Sequence, residues 1–408
     1  MGMGQLYNGQ WAKGIIFILY HTFIAITSIP VLVKNLRGLI TLGDAPMKDN
    51  SLFLLVYGIV SVLLLMVVIG IYILNIRDAY KNGELRDEGQ KPAGFIRSVR
   101  NLFDTGYPYL ILSPGLMALT AITFLPLVFS ILIGFTNYDL YHSPPGNLMD
   151  WVGLKNFHQV LTEGSWARTF RNVLGWTVLW TVLSTVTSFG LGAFVAILLN
   201  NPRIRFKKVI RTVLIIPWAI PGFTSILVWR GLLNTNFGAV NQLLAYLGVP
   251  AIPWFENVFW ARTALVLVNL WLGFPYNMIL VTGILQSIPG DLYEAARVDG
   301  ATGWQKFRQI TLPLLLFSMA PLLIMQFAYN FNNFNLIYLL NDGGPAIFGQ
   351  QGAGGTDILI SWVFKLTFNL LKFNYASAIS LIIFMIIAGL SVYNFRRTKS
   401  FQEEKMLQ

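Results

Sequence analysis

Several unbroken apolar runs of about 20 residues constrain this chain more than anything else in it, because each is long enough to cross a bilayer as a helix. They cannot all be hidden inside a soluble fold. Only 12% of the 408 residues are charged, against about 25% in soluble domains. The sequence therefore excludes a soluble globular protein. Apolarity that is continuous rather than alternating also excludes a transmembrane β-barrel. What remains is an all-α polytopic membrane protein, a multi-pass chain whose surroundings are the lipid bilayer.

Eight spans are predicted, near 14–33, 51–75, 108–136, 172–199, 212–233, 263–285, 313–340 and 376–395. Prolines fall inside several of them: Pro114 and Pro126 in the third, Pro217 and Pro221 in the fifth, Pro275 in the sixth, Pro313 and Pro321 in the seventh. Each removes a backbone donor and kinks its helix. The connections 1–13, 76–107, 200–211, 286–312 and 396–408 hold 19 of the 29 Lys and Arg. The positive-inside rule puts them, and both termini, in the cytoplasm. The net charge of +11 then reads as attraction to anionic headgroups and not to nucleic acid.

The first run lacks a basic leader and a small-residue cleavage site, so it reads as a retained span. The stretch Gly4–Gly9 reads as a turn that follows an upstream segment. The charged stretch Arg77–Arg100 divides a two-span accessory region and its linker, 1–100, from a six-span core, 101–400, with a tail at 401–408. The outer connection 137–171 is too short for a separate domain of ordinary size.

No Asp, Glu, Lys or Arg lies in the central part of any span, and Arg230 sits near a helix end, where it snorkels. His21 is the one titratable residue well inside a span, and a neutral ring bonded to a neighbour is expected. Ion-coupled carriers place ionisable groups or opened backbone at mid-membrane, so their absence weakens that reading. No G-x-x-x-x-G-K-[ST] loop is present; if ATP drives this protein, another chain hydrolyses it. There is no cysteine, and His21, His142 and His158 have no metal-ligand spacing. The chain reads as a non-enzyme with no catalytic residue, metal or cofactor of its own.

The connection Ser287–Pro313 is polar and strongly punctuated. Pro289 and Gly290 stop the preceding helix. Asp291 with Glu294 three residues on predicts a capping box. Gly300 suits a left-handed helix end. Thr302 caps the next helix, which carries Trp304, Phe307 and Ile310 on one apolar side. Such a two-helix knob on the inner face is something a soluble partner could grip.

Glu294-Ala295-Ala296, then Asp299-Gly300-Ala301, then Ile310-Thr311-Leu312-Pro313 resemble the EAA motif of ABC importer permeases, placed before the penultimate span. The resemblance runs from about 108 to 400 and is closest to the larger permease of maltose and maltodextrin importers. Asn269-Leu-Trp-Leu-Gly-Phe-Pro-Tyr276, Phe331-Asn-Asn-Phe-Asn-Leu336 and Asn341-Asp-Gly-Gly-Pro345 carry it further. It implies a six-helix permease core preceded by an N-terminal hairpin, with Glu294, Ala295, Ala296, Asp299 and Gly300 contacting an ATPase subunit. It implies as partners a second permease subunit, two ATPase subunits holding ATP and Mg, and an extracellular sugar-binding protein. Some members insert a large outer domain between the third and fourth spans; here only 137–171 stands there. Some also have a further proline after the Leu-Pro, where Ser318 and Pro321 lie.

Gln326, Tyr329, Asn330 and Asn333 follow an i, i+3, i+4, i+7 spacing, and Asn269, Gly273 and Tyr276 an i, i+4, i+7 spacing, so each set shares one helix face. Burying an unpaired amide costs on the order of 2–7 kcal/mol, so these groups face either neighbouring helices or a polar substrate. For Asn332 and Asn335, off the stripe, bonding between helices is expected. Amides offer donors and acceptors to hydroxyls, tyrosine rings offer flat faces to a pyranose, and no fixed charge is present. The resemblance implies sugar contacts at Asn269, Leu272, Gly273, Tyr276, Gln326, Tyr329, Asn330 and Asn333, with Gln326 standing where some relatives have a small hydroxyl residue. The function implied is import of maltose or maltodextrins by alternating access. The rivals are another oligosaccharide or glycerol phosphate as cargo, an ion-coupled secondary carrier, and a membrane scaffold.

Overall fold

A computed structural model of the chain describes residues 1–92, 94–104, 106–201 and 203–397; the expected tail 401–408 lies outside the described residues. The described residues form helices and connections, with no strand among them. Among the described residues six helices are long and apolar enough to cross a bilayer: Trp11–Thr41, Ser51–Asp87, Tyr107–Ile133, Gly164–Asn200, Val258–Ser287 and Gly303–Phe331. A bent pair, Lys207–Ala219 with Gly222–Leu232, supplies a seventh if counted as one span. Helix Phe373–Arg397 covers the last predicted span. Contacts divide the chain into two compact units, 1–156 with 372–378, and 157–371 with 379–408.

In the first unit, Trp11–Thr41 and Ser51–Asp87 form a hairpin. Asn50 caps the second helix by accepting from the backbone N–H groups of Leu52 and Phe53, which satisfies donors every helix start leaves open. Close approach is set by Gly58, where a Cβ would stand 2.4 Å from that of Leu39. Gly4–Gly9 is more than a turn: Met3–Tyr7 is helical. Gln5 donates to the Asn75 carbonyl at 3.1 Å, Asn8 to the Ala79 carbonyl at 2.7 Å, and Lys13 pairs with Asp78 at 2.7 Å. Leu42, Leu55, Ile59, Ile133 and Met149 make an apolar core that Tyr107–Ile133 shares. The boundary expected at residue 100 therefore falls inside this unit. His21 is exposed, and among the described residues the expected bond to a neighbour is not seen.

In the second unit, Gly164–Asn200 packs along Val258–Ser287. Small buried residues on the first helix, Ser184, Ser188, Gly192, Ala193 and Ala196, let the backbones approach, as is usual where lipid removes the hydrophobic drive between helices. At Gly192 a Cβ would lie 2.5 Å from that of Asn277 and 2.8 Å from the Met278 nitrogen. Trp176, Trp180, Ile226, Trp254, Leu265 and Leu336 anchor one core cluster, and Ala196, Met278, Val281, Leu315 and Met319 a second.

The prolines act in three ways. Pro217 and Pro221 bracket a bend of 91° that breaks the fifth span into two helices. Before Pro126 and Pro313 the helix instead widens into a π turn, Thr120–Phe124 and Phe307–Thr311. Proline clashes with the carbonyl four residues back, and the wider turn makes room for the ring. Leu125 and Leu312 then donate five residues back, to Thr120 and Phe307. Pro114, Pro275 and Pro321 lie within helices that continue through them. The seventh predicted span is not continuous over 313–340. Its helix stops at Phe331 and restarts as Phe334–Asn341, because the Asn333 side chain accepts from the Leu336 N–H at 3.4 Å and so caps a new helix.

Candidate functional site

The break after Phe331 and the bend after Ala219 face one cavity of about 630 Å³ in the second unit. All eight residues expected to contact sugar line it: Asn269, Leu272, Gly273, Tyr276, Gln326, Tyr329, Asn330 and Asn333. Asn333 reaches it from the cap of the restarted helix rather than from a continuous helical face, which corrects the i+7 placement. Asn335, expected to bond between helices, is exposed and lines the cavity as well. Asn332 instead donates to the Ala328 carbonyl at 3.4 Å.

Three amides are buried; two of them, Asn333 and Asn269, are linked to each other, and Asn330 is held separately. Asn269 Nδ2 donates to Ser188 Oγ at 3.4 Å, and Asn333 Nδ2 donates to Asn269 Oδ1 at 3.5 Å. Asn330 Nδ2 donates to Thr185 Oγ1 at 3.0 Å, while the Trp180 indole N–H donates to the Asn330 backbone carbonyl at 3.0 Å. The helix Gly164–Asn200 thus supplies a polar scaffold, Trp180, Thr185 and Ser188, that fixes which way the amides point. Gly273 lies where a Cβ would come within 3.0 Å of Ser188 Oγ, so a side chain there would press on this scaffold.

The sequence reading missed Ser188, Trp218 and Phe223, all of which line the cavity. Pro217 and Pro221 signalled a bend, but nothing in an apolar run says which ring will turn inward. Among the described residues no Asp, Glu, Lys or Arg lines the cavity. Amides, rings and aliphatic side chains together suit a neutral, hydroxyl-rich ligand.

The 287–313 element is the second candidate region. Helix Gly290–Val298 begins after Pro289 with no side-chain cap, so the expected Asp291–Glu294 capping box is not formed; Pro289 occupies the cap position, where it has no hydroxyl or carboxylate to offer. Its other end follows expectation. Gly300 has φ of 76°. Gly300 donates to the Arg297 carbonyl and Ala301 to that of Ala296, at 3.1 and 2.8 Å, the paired bonds of a Schellman end. Thr302 and Gln305 form a reciprocal capping box for the next helix. Tyr293 Oη and Thr311 Oγ1 lie 2.9 Å apart and tie the two helices together. Glu294, Ala295, Asp299 and Gly300 are exposed and Ala296 half-buried. Leu292, Val298 and Trp304 are also exposed, leaving an apolar and acidic surface on a rigid turn.

The family described as "Binding-protein-dependent transport system inner membrane component" matches residues 188–398. The galactooligosaccharides transport system permease protein GanP of Bacillus subtilis is 45% identical over 405 residues, covering 99% of this chain and 96% of that protein. The maltodextrin transport system permease protein MdxF of the same organism is 40% identical, covering 100% of this chain and 95% of that protein. Among solved structures, a bacterial ABC transporter involved in import of the acidic polysaccharide alginate matches 74% of this chain and 100% of its own, with a TM-score of 0.59 and 22% identity. That likeness concerns the fold.

Proposed function

Because the chain belongs to the family of binding-protein-dependent transport system inner membrane components, we propose that it is the larger permease subunit of an ATP-driven importer of maltodextrin-type oligosaccharides. The observation that carries this reading is the convergence of four amides, two tyrosines, Leu272 and Gly273 on one cavity whose described lining has no fixed charge. The chain crosses the membrane eight times with both termini in the cytoplasm. It works with a second permease, two ATPase subunits and an extracellular sugar-binding protein. The 287–313 element docks on an ATPase through Glu294, Ala295, Ala296, Asp299 and Gly300, so that ATP-driven closure is relayed to the cavity by alternating access. The preformed Schellman end and capping box favour this role, since a knob that is already ordered transmits displacement without first folding.

Galactooligosaccharides are the second reading, favoured by the 45% identity to GanP. Glycerol phosphate fits poorly, because a phosphate calls for Arg or Lys and neither lines the cavity. Uptake of labelled malto- and galactooligosaccharides by cells whose own permease has been replaced by this chain and its partners tests the assignment. Glu294→Lys should insert normally yet hydrolyse ATP without accumulating sugar. Uptake at the wild-type rate in that variant would refute the coupling role.

A further inference from the structure

The connection between Ser51–Asp87 and Tyr107–Ile133 holds a helix of 10 residues, Phe95–Asp104, that has no part in the cavity or in the 287–313 element. At a helical repeat, Phe95, Ile96, Val99 and Phe103 share an arc of about 100°, and Arg97, Arg100 and Asp104 lie on the other side. The apolar arc is largely uncovered. Ile96 is 83% exposed and Phe103 60%, Phe95 is exposed as well, and Val99 is half-buried. Arg97 and Arg100 are exposed on the polar side, and Lys91 stands just before the helix.

Its place in the chain sets its height. Both flanking helices are long and apolar enough to cross a bilayer, and only residues 105 and 106 separate Asp104 from Tyr107. The end of the helix therefore stays within about 11 Å of Tyr107. Tyr107 and Tyr109 are exposed, and such rings settle at the membrane–water boundary. Its roll is set by Ser98, at the margin between the two arcs. Lys13 Nζ donates to Ser98 Oγ at 3.1 Å while pairing with Asp78 at 2.7 Å. One buried ammonium thus joins the first two long helices to this short one. Ser98 faces the hairpin, and Ile96 and Phe103 lie on the far side.

We propose that Phe95–Asp104 docks on the cytoplasmic leaflet. Phe95, Ile96 and Phe103 enter the boundary between headgroups and acyl chains, Arg97 and Arg100 take the phosphates of anionic lipids, and the lipid surface steadies the accessory hairpin through Ser98 and Lys13. A helix at this height with rings on one side and arginines on the other has the build of an in-plane binder, and its positive side complements an anionic leaflet. This rests on the reading of 76–107 as a cytoplasmic connection.

The chain has no cysteine, so a nitroxide on a single introduced cysteine reads one position. Ile96→Cys, Phe103→Cys, Arg97→Cys and Asp104→Cys are placed one at a time in the whole importer complex, with cysteine-free partner subunits, in phosphatidylcholine nanodiscs with and without phosphatidylglycerol. Spin resonance measures collisions with oxygen, which concentrates in lipid, and with a water-soluble nickel chelate. With phosphatidylglycerol, the oxygen-to-nickel ratio should be roughly tenfold higher at 96 and 103 than at 97 and 104. Without it, the ratio at 96 should fall severalfold, and Arg97→Gln with Arg100→Gln should abolish that dependence. Size-exclusion chromatography of each complex shows that assembly is intact. Equal ratios at all four positions, the mark of a solvated helix, overturn the inference. So does shielding of 96 and 103 from both quenchers, the mark of a covering subunit. A ratio at 96 that ignores phosphatidylglycerol overturns the recognition of anionic lipid. Labelling of Arg97→Cys in intact cells by a membrane-impermeant maleimide overturns the cytoplasmic reading of 76–107 instead.

Discussion

Replacing Lys365 by Met probes the most demanding electrostatic arrangement in the second unit. Asp357 has no exposed side-chain surface, while Lys365 keeps 12%. The Asp357 carboxylate accepts from the Gly354 N–H at 2.6 Å, the Ser361 hydroxyl at 2.8 Å and the Lys365 ammonium at 2.8 Å. Burial pushes this carboxyl above the usual carboxylate range, and Lys365 is the strongest influence pulling it back. Lys365→Met keeps the stem and deletes the cation. A buried carboxylate stripped of its partner costs about 3–5 kcal/mol, which corresponds to a fall in apparent melting temperature of roughly 6–20 °C. Asp357→Asn is milder, about 1–3 kcal/mol, because the stranded lysine retains a path to water. The double variant should recover most of the Lys365→Met loss. The loss also has a pH signature. With the folded-state pKa raised above its ordinary value of 3.8, the native state holds the extra proton. Stability is present below that value and is lost as pH rises through the folded pKa. Lys365→Met should therefore approach the wild type in acid and fall away toward neutrality. Fluorescence-detected melting of the purified complex, from acid to neutral pH, reads all four proteins. Wild-type melting of Lys365→Met at neutral pH, or a double variant as unstable as the summed singles, would refute the reasoning.

Two further substitutions test the scaffold beneath the cavity. Gly192→Leu should abolish folded protein and uptake, since a Cβ there meets Asn277 at 2.5 Å and the Phe274 carbonyl at 2.9 Å; Gly190→Ala, with nothing within 4 Å, should keep both, as fluorescence-detected chromatography would show. Thr185→Val removes the acceptor of the Asn330 amide and should weaken sugar binding by about 1–3 kcal/mol without lowering expression, while Thr185→Ser restores it; dialysis of the labelled sugar measures both.

The spans were legible because lipid demands long apolar helices and little else in the chain competes with that signal. The amide and tyrosine stripe was legible for the same reason: polar groups at helical spacing stand out in an apolar run. The break at Asn332–Asn333 was not. Asparagine continues a polar stripe and caps a helix equally well, and tertiary packing decides between them. Trp218 was hidden because an aromatic residue in an apolar segment carries no mark of which side it faces. The Asp357–Lys365 pair is formed by a connection folding onto the short helix Leu359–Phe368, and no spacing rule announces it. Asp291 misled because its cap chemistry stands two residues past Pro289, which occupies the cap.

The right angle at Ile220 has a consequence for hydration. Ile220 is extended, with φ of −86° and ψ of 136°, so the final carbonyls of Lys207–Ala219 have no next turn to accept. Hydrocarbon cannot solvate them. The joint therefore calls for hydrogen-bond donors beside it, and the cavity it borders is where water can supply them. A polyol entering such a space trades its own solvation shell for oxygens and amides of similar polarity, an exchange with little net gain. A carrier that must let go of what it has just taken up benefits from that shallow balance.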